Sequence, residues 1–108
     1  MSGIERIAAE RKRQIEKEGW TPAHDDEHTD GSLALAAVCY ATPVQLYELS
    51  GGKAFMTFQD PWPESWDEDW DKRPQKTPTN DQRIRMLEKS GALIAAEIDR
   101  LLRKRRVV

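Results

Sequence analysis

The longest uninterrupted apolar run in the chain is Leu33–Ala41, with the sequence LALAAVCYA. The run is rich in alanine, a strong helix former, and it is long for a strand. It therefore predicts a short buried helix, capped by Asp30 or Thr29, that packs closely on its neighbours and forms the centre of the core.

With 108 residues, the chain has room for one domain, because a chain of this size buries only about two-thirds of its unfolded surface.

Two amphipathic segments flank this central run. Apolar residues at spacings of three and four predict a helix over residues 3–18, with Ser2 as its cap and Gly19 at its end. Asn80 is expected to cap a long final helix. The apolar stripe of that helix consists of Ile84, Leu87, Gly91, Ile94, Ile98 and Leu101.

The connecting segments are polar or irregular. Residues 20–30 hold proline and four acidic residues without an apolar period, which predicts a loop. Thr42 and Pro43 are typical of a helix start, so we expect a short helix through about Leu49. Residues 53–58 form either a strand or an extended edge, and the tryptophan- and acid-rich residues 59–79 form a loop. The predicted fold is mainly α: one helical domain over residues 1–108 with a variable loop at about 50–79 and one short β segment.

Composition narrows the classes of function. Apolar residues make up 38% and charged residues 33% of the chain, so narrow apolar stripes are expected to be buried in a homo-oligomer. A net charge of -2 argues against nucleic acid as a partner. The single cysteine, Cys39, is interpreted as a small buried side chain in a reducing compartment. Without a signal sequence or a span of ~20 apolar residues, we expect a cytoplasmic protein with no membrane partner.

A dense cluster of potential ligands follows the first helix. His24, Asp25, Asp26 and His28 place imidazoles and carboxylates within a few residues of one another. Such groups bind small polar ligands or a divalent metal ion, and a helical turn would bring the two histidines to one face. The alternative is a solvated acidic loop that caps the next helix.

The first helix itself carries a second candidate set. Arg11 and Arg13 are predicted to bind the ligand, since a guanidinium forks onto a phosphate. Glu10 is a candidate metal ligand, and Trp20 can stack on a base or seal the helix end. Ion pairing along the helix surface explains Glu10 and Arg13 equally well, and Trp20 is more often a core anchor.

Tryptophans recur in the long loop. Trp62, Trp66 and Trp70 lie four residues apart, and Lys72 and Arg73 follow directly. Aromatic rings that stack on a base, next to cations that meet phosphates, are typical of a nucleotide pocket. The same pattern also fits a loop that is pinned to the core by its tryptophans.

Glu97 is the other candidate metal ligand, because it interrupts an alanine- and isoleucine-rich stretch of the last helix. A carboxylate in such surroundings must be paired, bound to metal or exposed at the edge. With Glu10, Asp25 and Asp26 it completes a predicted set of four acids for a Mg²⁺ site. No other cofactor is indicated.

Three segments resemble short, uncharacterised bacteriophage and prophage proteins: ERKRQIEKEGWTPAHDD, GSLALAAVCYA and RIRMLEKSGALIAAEIDRL. The order Glu10-Arg11, Arg13-Gln14, Gly19-Trp20, His24-Asp25 and two apolar helices distantly resembles the MazG-like nucleotide pyrophosphohydrolases. That resemblance implies an all-helical fold and Mg²⁺-dependent hydrolysis of nucleoside triphosphates. The chain departs from the enzymes at Gly31-Ser32-Leu33, where they carry glutamates that hold the metal. A weaker similarity, to ryanodine-receptor-type repeats, rests on Gly19-Trp20, Asp25-Asp26 and His28.

These observations lead to three functional expectations. The first is a phage-derived protein that binds a nucleotide or nucleotide signal without hydrolysis, for example to sequester an immune signal in its bacterial host. The second is a MazG-like, metal-dependent pyrophosphohydrolase. The third is an interaction module in which the tryptophan loop docks on a host factor.

Overall fold

The computed structural model describes residues 1–42, 48–50, 57–59, 62–74 and 76–105. These residues form four α-helices, one short 3-10 helix and two paired strands. The fold is mainly helical, as the sequence predicts. The elements in chain order are α1 (Gly3–Glu18), α2 (Pro22–Asp25), α3 (Ser32–Ala41), β1 (Glu48–Ser50), β2 (Thr57–Gln59), a short 3-10 helix (Glu68–Trp70) and α4 (Asn80–Arg105).

The predicted bounds of α1 are confirmed at both ends. The Ser2 hydroxyl accepts from the backbone N–H of Glu5, and the Glu5 carboxylate accepts from that of Ser2, which forms a capping box. Gly19 ends the helix with φ of 72°, a left-handed conformation that glycine adopts without a Cβ clash.

The segment from Trp20 to Asp30 is not a loop throughout, so this prediction was wrong in part. The Thr21 side chain accepts from the backbone N–H of His24, and Pro22 occupies the first turn of α2. Threonine followed by proline is a helix-start signal. The helix has four residues and is too short to show an apolar period, which is why the period alone missed it.

The central helix α3 lies where the apolar run predicts it. Gly31 precedes it and contributes no side-chain cap, but the carboxylate of Asp30 accepts from the backbone N–H of Ser32 at 3.1 Å. Leu33 and Ala36 have no exposed surface, and Cys39 is buried as predicted. The helix therefore forms the centre of the core.

The hairpin corrects the assignment of Leu49. β1 pairs antiparallel with β2, and Leu49 lies opposite Phe58 rather than at the end of a helix. Strand pairing joins residues that are distant in the chain, so local helix signals do not reveal it. The predicted β segment at 53–58 is met at 57–58, within β2. Its remainder, and the helix expected from Pro43, lie outside the described residues.

The last helix has a different cap and a different buried face from those predicted. Thr79, not Asn80, is the cap: its hydroxyl accepts from the backbone N–H of Gln82, and the Gln82 side chain accepts from that of Thr79. The predicted stripe faces outward. Its five large residues are 45% to 52% exposed, and we call them the outer stripe: Ile84, Leu87, Ile94, Ile98 and Leu101.

The inward face of α4 is built from small and polar residues as well as large apolar ones. Its buried residues are Met86, Ser90, Ala92, Leu93, Ala96 and Arg100. The hydroxyl of Ser90 donates to the backbone oxygen of Ala37 at 2.7 Å, which ties α4 closely to α3. On the α1 side, a Cβ added to Gly91 would lie 2.6 Å from Ile7. Small residues let two helices approach closely, and this close approach decides which face of α4 is buried.

The first helix likewise buries polar residues and exposes an apolar one. Its two buried residues are Glu10 and Gln14, whereas Ile4 is 82% exposed. The core cluster between α3 and α4 includes Trp66 of the long loop, and Trp20 and Trp62 pack against it.

Within the described part of the chain, no helix is long and apolar enough to span a membrane.

Candidate functional site

All four tryptophans meet in one aromatic cluster. The ring centroid of Trp66 lies 5.3 Å from that of Trp20, 5.6 Å from that of Trp62 and 5.5 Å from that of Trp70. Each of these pairs is close to perpendicular, the edge-to-face arrangement that aromatic rings favour. No continuous helix aligns the three loop tryptophans, because only Glu68–Trp70 forms a 3-10 turn.

Hydrogen bonds hold the tryptophan loop against α3. The hydroxyl of Tyr40 donates to the backbone oxygen of Trp70 at 3.2 Å and accepts from the backbone N–H of Lys72 at 2.9 Å. Burial is the main factor that raises the pKa of Tyr40, so the phenol keeps its proton at neutral pH. Trp66 is 5% exposed. The tryptophans therefore pin the loop, as one of the two interpretations predicted.

The aromatic cluster also borders a cavity of about 250 Å³ between α1, α3, α4 and the loop. The walls combine aromatic rings with a few polar and charged groups. The lining residues are Gln14, Glu18, Trp20, Tyr40, Trp62, Trp66, Asp69, Trp70, Lys72, Lys89 and Leu93. A concave site that combines aromatic rings with polar groups is a common form of a small-molecule site.

Near this cavity, Glu10 of α1 pairs with Arg85 and Lys89 of α4 and with Arg13 of its own helix. Its carboxylate lies 2.7 Å from Arg13, 2.7 Å from Arg85 and 3.9 Å from Lys89. Burial alone would raise the pKa of Glu10, but the hydrogen bonds from the two arginines and the charges of Arg85 and Lys89 lower it to about 2. Burial, and next the charge of Arg85, lower the pKa of Lys89.

Two buried polar atoms of the cavity residues have no hydrogen-bond partner among the described residues. They are the amide oxygen Oε1 of Gln14 and the indole Nε1 of Trp66. Gln14 is 3% exposed, and both residues line the cavity. Buried polar groups are normally paired, so one unpaired acceptor and one unpaired donor among the lining residues are unusual.

The predicted histidine-aspartate cluster lies next to the tryptophans. The ring of His24 stacks on Trp20 at 5.5 Å, and that of His28 lies 4.9 Å from His24 and 5.3 Å from Trp66. Burial is the main factor that lowers the pKa of His28. Asp25 has no exposed surface and accepts a hydrogen bond from Arg11 at 2.7 Å, whereas Asp26 is exposed. Part of the cluster is therefore folded into the structure, and part of it is solvated.

The structure brings some of the predicted ligand-binding residues to the cavity. Trp20, Trp66, Trp70 and Lys72 line it. The other predicted residues do not appear among its described lining residues: Arg11, Arg13, His24, Asp25, Asp26, His28 and Arg73. Arg73 is nevertheless close, because its guanidinium carbon lies 5.2 Å from the ring centroid of Trp62, and it donates to Asp71.

The remaining lining residues have weaker signals in the sequence. Trp62 and Gln14 belong to the patterns noted in the sequence, but neither was in the predicted binding set. Tyr40 and Lys89 were missed because they lie on helices remote in sequence from the tryptophan loop. The signal for Tyr40 was a polar hydroxyl at the end of an otherwise apolar run, since a buried tyrosine needs a hydrogen-bond partner.

Each of the four predicted metal ligands is paired with a guanidinium group. Asp26 accepts from Arg103 at 2.7 Å and Glu97 from Arg100, while Arg13 and Arg85 hold Glu10 and Arg11 holds Asp25. In the described part of the chain, no three histidine, cysteine or acidic side chains are grouped so as to hold a metal ion. Glu97 is therefore paired with a guanidinium group, which is one of the three arrangements expected for it from the sequence.

No protein-family model, curated protein or solved structure matches this chain.

Proposed function

We propose that the protein binds a small nucleotide-type molecule in the aromatic cavity and does not hydrolyse it. The observation that carries the proposal is the meeting of four tryptophans around a cavity whose wall contains an unpaired acceptor and an unpaired donor. Indole rings stack on the faces of a base, while polar atoms contact its edge. The sites that enclose drug-sized ligands have volumes of roughly 300–1,000 Å³, so a cavity of about 250 Å³ suits a base and not a dinucleotide.

Charge in the cavity fits a phosphate at its mouth. Lys72 is exposed and Lys89 is partly buried, and both line the cavity. Two acids, Glu18 and Asp69, also line the cavity, and Arg13 pairs with Glu18 at 2.9 Å. The base therefore stacks among the tryptophans, and the phosphate lies towards Lys72. In a phage-derived protein, such a site serves to sequester a signalling nucleotide of the host.

Binding is tested by titration calorimetry and by quenching of tryptophan fluorescence. The ligands are the nucleoside mono- and triphosphates, cyclic dinucleotides and ADP-ribose. We expect a monophosphate to bind and to quench the emission, because stacking changes the surroundings of the indoles. The absence of any heat or quenching across the panel would refute the proposal.

Two variants assign the binding to the cavity. Trp70→Leu removes a ring that is 38% exposed, and stacking contributes about 1–3 kcal/mol per base, so affinity should fall by about 5- to 150-fold. Lys72→Ala should lower the affinity for a nucleoside monophosphate but not the affinity for the matching nucleoside. Lys12→Ala, which removes an exposed lysine of α1, is the matched control and should leave both affinities unchanged.

The arginine pairs favour binding over the MazG-like alternative. A magnesium ion held by Glu10, Asp25, Asp26 and Glu97 would have to displace guanidinium groups from all four carboxylates. Assays with Mg²⁺ and deoxynucleoside triphosphates should therefore release no pyrophosphate. Release that is abolished by Glu97→Ala would support the enzyme instead. For docking on a host factor, Trp66 offers little surface because it is 5% exposed.

We also propose that the outer stripe of α4 is buried against a second copy of the chain. Together with Gly91, its residues follow the alternating spacing of three and four that is typical of paired helices, yet the five large side chains are about half exposed in one chain. The net charge of -2 gives little repulsion between two copies. Light scattering should give a mass above the 12.4 kDa of one chain.

A charge in the outer stripe tests this interface. Ile94→Glu should yield the mass of a single chain, whereas Lys12→Glu on the surface of α1 should leave the larger mass unchanged. A single-chain mass for the unmodified protein at micromolar concentration would contradict the proposal.

A further inference from the structure

We infer that Gln14 selects the ligand: the cavity binds bases that present an N–H donor beside an acceptor, and it rejects analogues in which that donor is removed. This inference rests on the proposed nucleotide binding and names the feature of the base that the site recognises. It follows from the orientation of one amide group, which the neighbouring residues determine.

The Gln14 amide can face only one way. One end of the amide lies 3.1 Å from Oε2 of Glu10. A carboxylate only accepts hydrogen bonds, so the group that faces it must be the NH₂. The carbonyl oxygen Oε1 is therefore turned away from Glu10, and it is the atom that lacks a partner among the described residues.

The carboxylate of Glu10 keeps this orientation under all ordinary conditions. Arg13 donates to both of its oxygens at 2.7 and 2.9 Å, and Arg85 donates to Oε1 at 2.7 Å. The pKa of Glu10 is about 2, so the group stays ionised and cannot become a donor. The Gln14 amide is thus fixed before any ligand arrives, and such preorganisation favours selectivity.

The indole of Trp66 supplies the complementary group. Its Nε1 only donates, it has no partner among the described residues, and its ring lines the same cavity. Residues that line the cavity therefore hold one acceptor and one donor without a partner among the described residues. The complementary edge has an N–H donor next to an acceptor, as in the amino and ring-nitrogen edge of adenine. A ligand without the donor leaves Oε1 of Gln14 buried and unpaired, and an unpaired buried polar atom strongly lowers the binding affinity.

The test compares ligands with and without this donor. Adenosine monophosphate and its N6,N6-dimethyl analogue have the same charge and the same stacking rings, but the analogue is larger by two methyl groups. Purine riboside monophosphate lacks the same donor and is smaller, so it separates loss of the donor from a steric clash. We expect the dimethyl analogue, and likewise purine riboside monophosphate, to bind the unmodified protein at least about tenfold more weakly. Both measurements use the unmodified chain, so they do not depend on whether a variant folds.

A variant assigns the discrimination to Gln14. Gln14→Met keeps the length of the side chain and removes the acceptor, so the two ligands should bind with affinities that differ by less than about twofold. Lys17→Met, an exposed change on the same helix, should keep the discrimination. Equal binding of adenosine monophosphate and both analogues to the unmodified protein overturns this inference but not the proposed function. If no nucleotide binds, both are overturned.

Discussion

The two sides of the α1–α4 pair have opposite compositions. The side that faces the rest of the chain buries Glu10 and Gln14 and pairs Glu10 with cations of α4. The side that faces outward carries the outer stripe and Ile4, which is 82% exposed. This contrast is the basis of the two proposals above. In them, the inner side organises the cavity and the outer side is buried against a second copy.

Removing the carboxylate at the centre of the inner side should have the largest effect. Glu10→Leu leaves Arg13, Arg85 and Lys89 facing one another around a buried apolar group. Breaking a buried ion pair costs about 3–5 kcal/mol, so the free energy of unfolding in urea should fall by that amount. Glu16→Leu, at an exposed acid of the same helix, should change it by no more than about 0.5 kcal/mol.

A stabilising effect of Glu10→Leu would remove the basis of the comparison. It would mean that an apolar side chain suits the inner side of α1 better than the carboxylate does, as is found for some buried ion pairs that are replaced as a whole. The two sides would then differ in composition but not in function.

Adjacent residues of α4 allow a direct comparison of the two sides in stability. Leu93 is 1% exposed and Ile94 is 49% exposed. Leu93→Ala should cost about 2–5 kcal/mol, whereas Ile94→Ala should cost less than about 1 kcal/mol when unfolding is measured at concentrations where the chain is monomeric. A larger loss for Ile94→Ala at high concentration alone would link the outer stripe to association.

The pH dependence of stability sharpens the part of the comparison that concerns charge. The pKa of Glu10 falls from 4.5 to about 2 on folding, so the folded state favours the carboxylate. The resulting stabilisation is fully present above about pH 4.5 and is lost as the pH falls towards 2. It amounts to on the order of 3 kcal/mol.

Chemical unfolding between pH 2 and 6 measures this loss. Glu10→Gln should show a flatter profile than the unmodified chain, and the difference between the two profiles isolates Glu10 from the other acids. Parallel profiles would show that the arginines do not hold the carboxylate in its charged form.

How much of this the sequence predicts depends on the range of the interactions. The bounds of α1 follow from its caps and apolar period, and the position of α3 follows from one apolar run, and all of these signals are local. The inward face of α4 does not, because an apolar stripe at a spacing of three and four fits a core and an oligomer interface equally well. What decides it is Ser90 and Gly91, whose small size lets α3 and α1 approach. The tryptophans of the site were visible in sequence, but Tyr40 and Lys89 joined them only through tertiary packing.

Gly91 marks the line where the two sides of α4 meet, and it offers the last and smallest of these tests. A Cβ at this position would lie 2.6 Å from Cδ1 and 2.7 Å from Cγ1 of Ile7, so Gly91→Val must push α1 away. We expect a loss of about 1–3 kcal/mol in the free energy of unfolding, as for other overpacked contacts. Ile7→Ala removes the atoms in conflict, so the double variant should be more stable than the sum of the two single losses predicts. Strict additivity would show that Gly91 and Ile7 are not in contact, and that α1 lies further from α4 than the buried Glu10 requires.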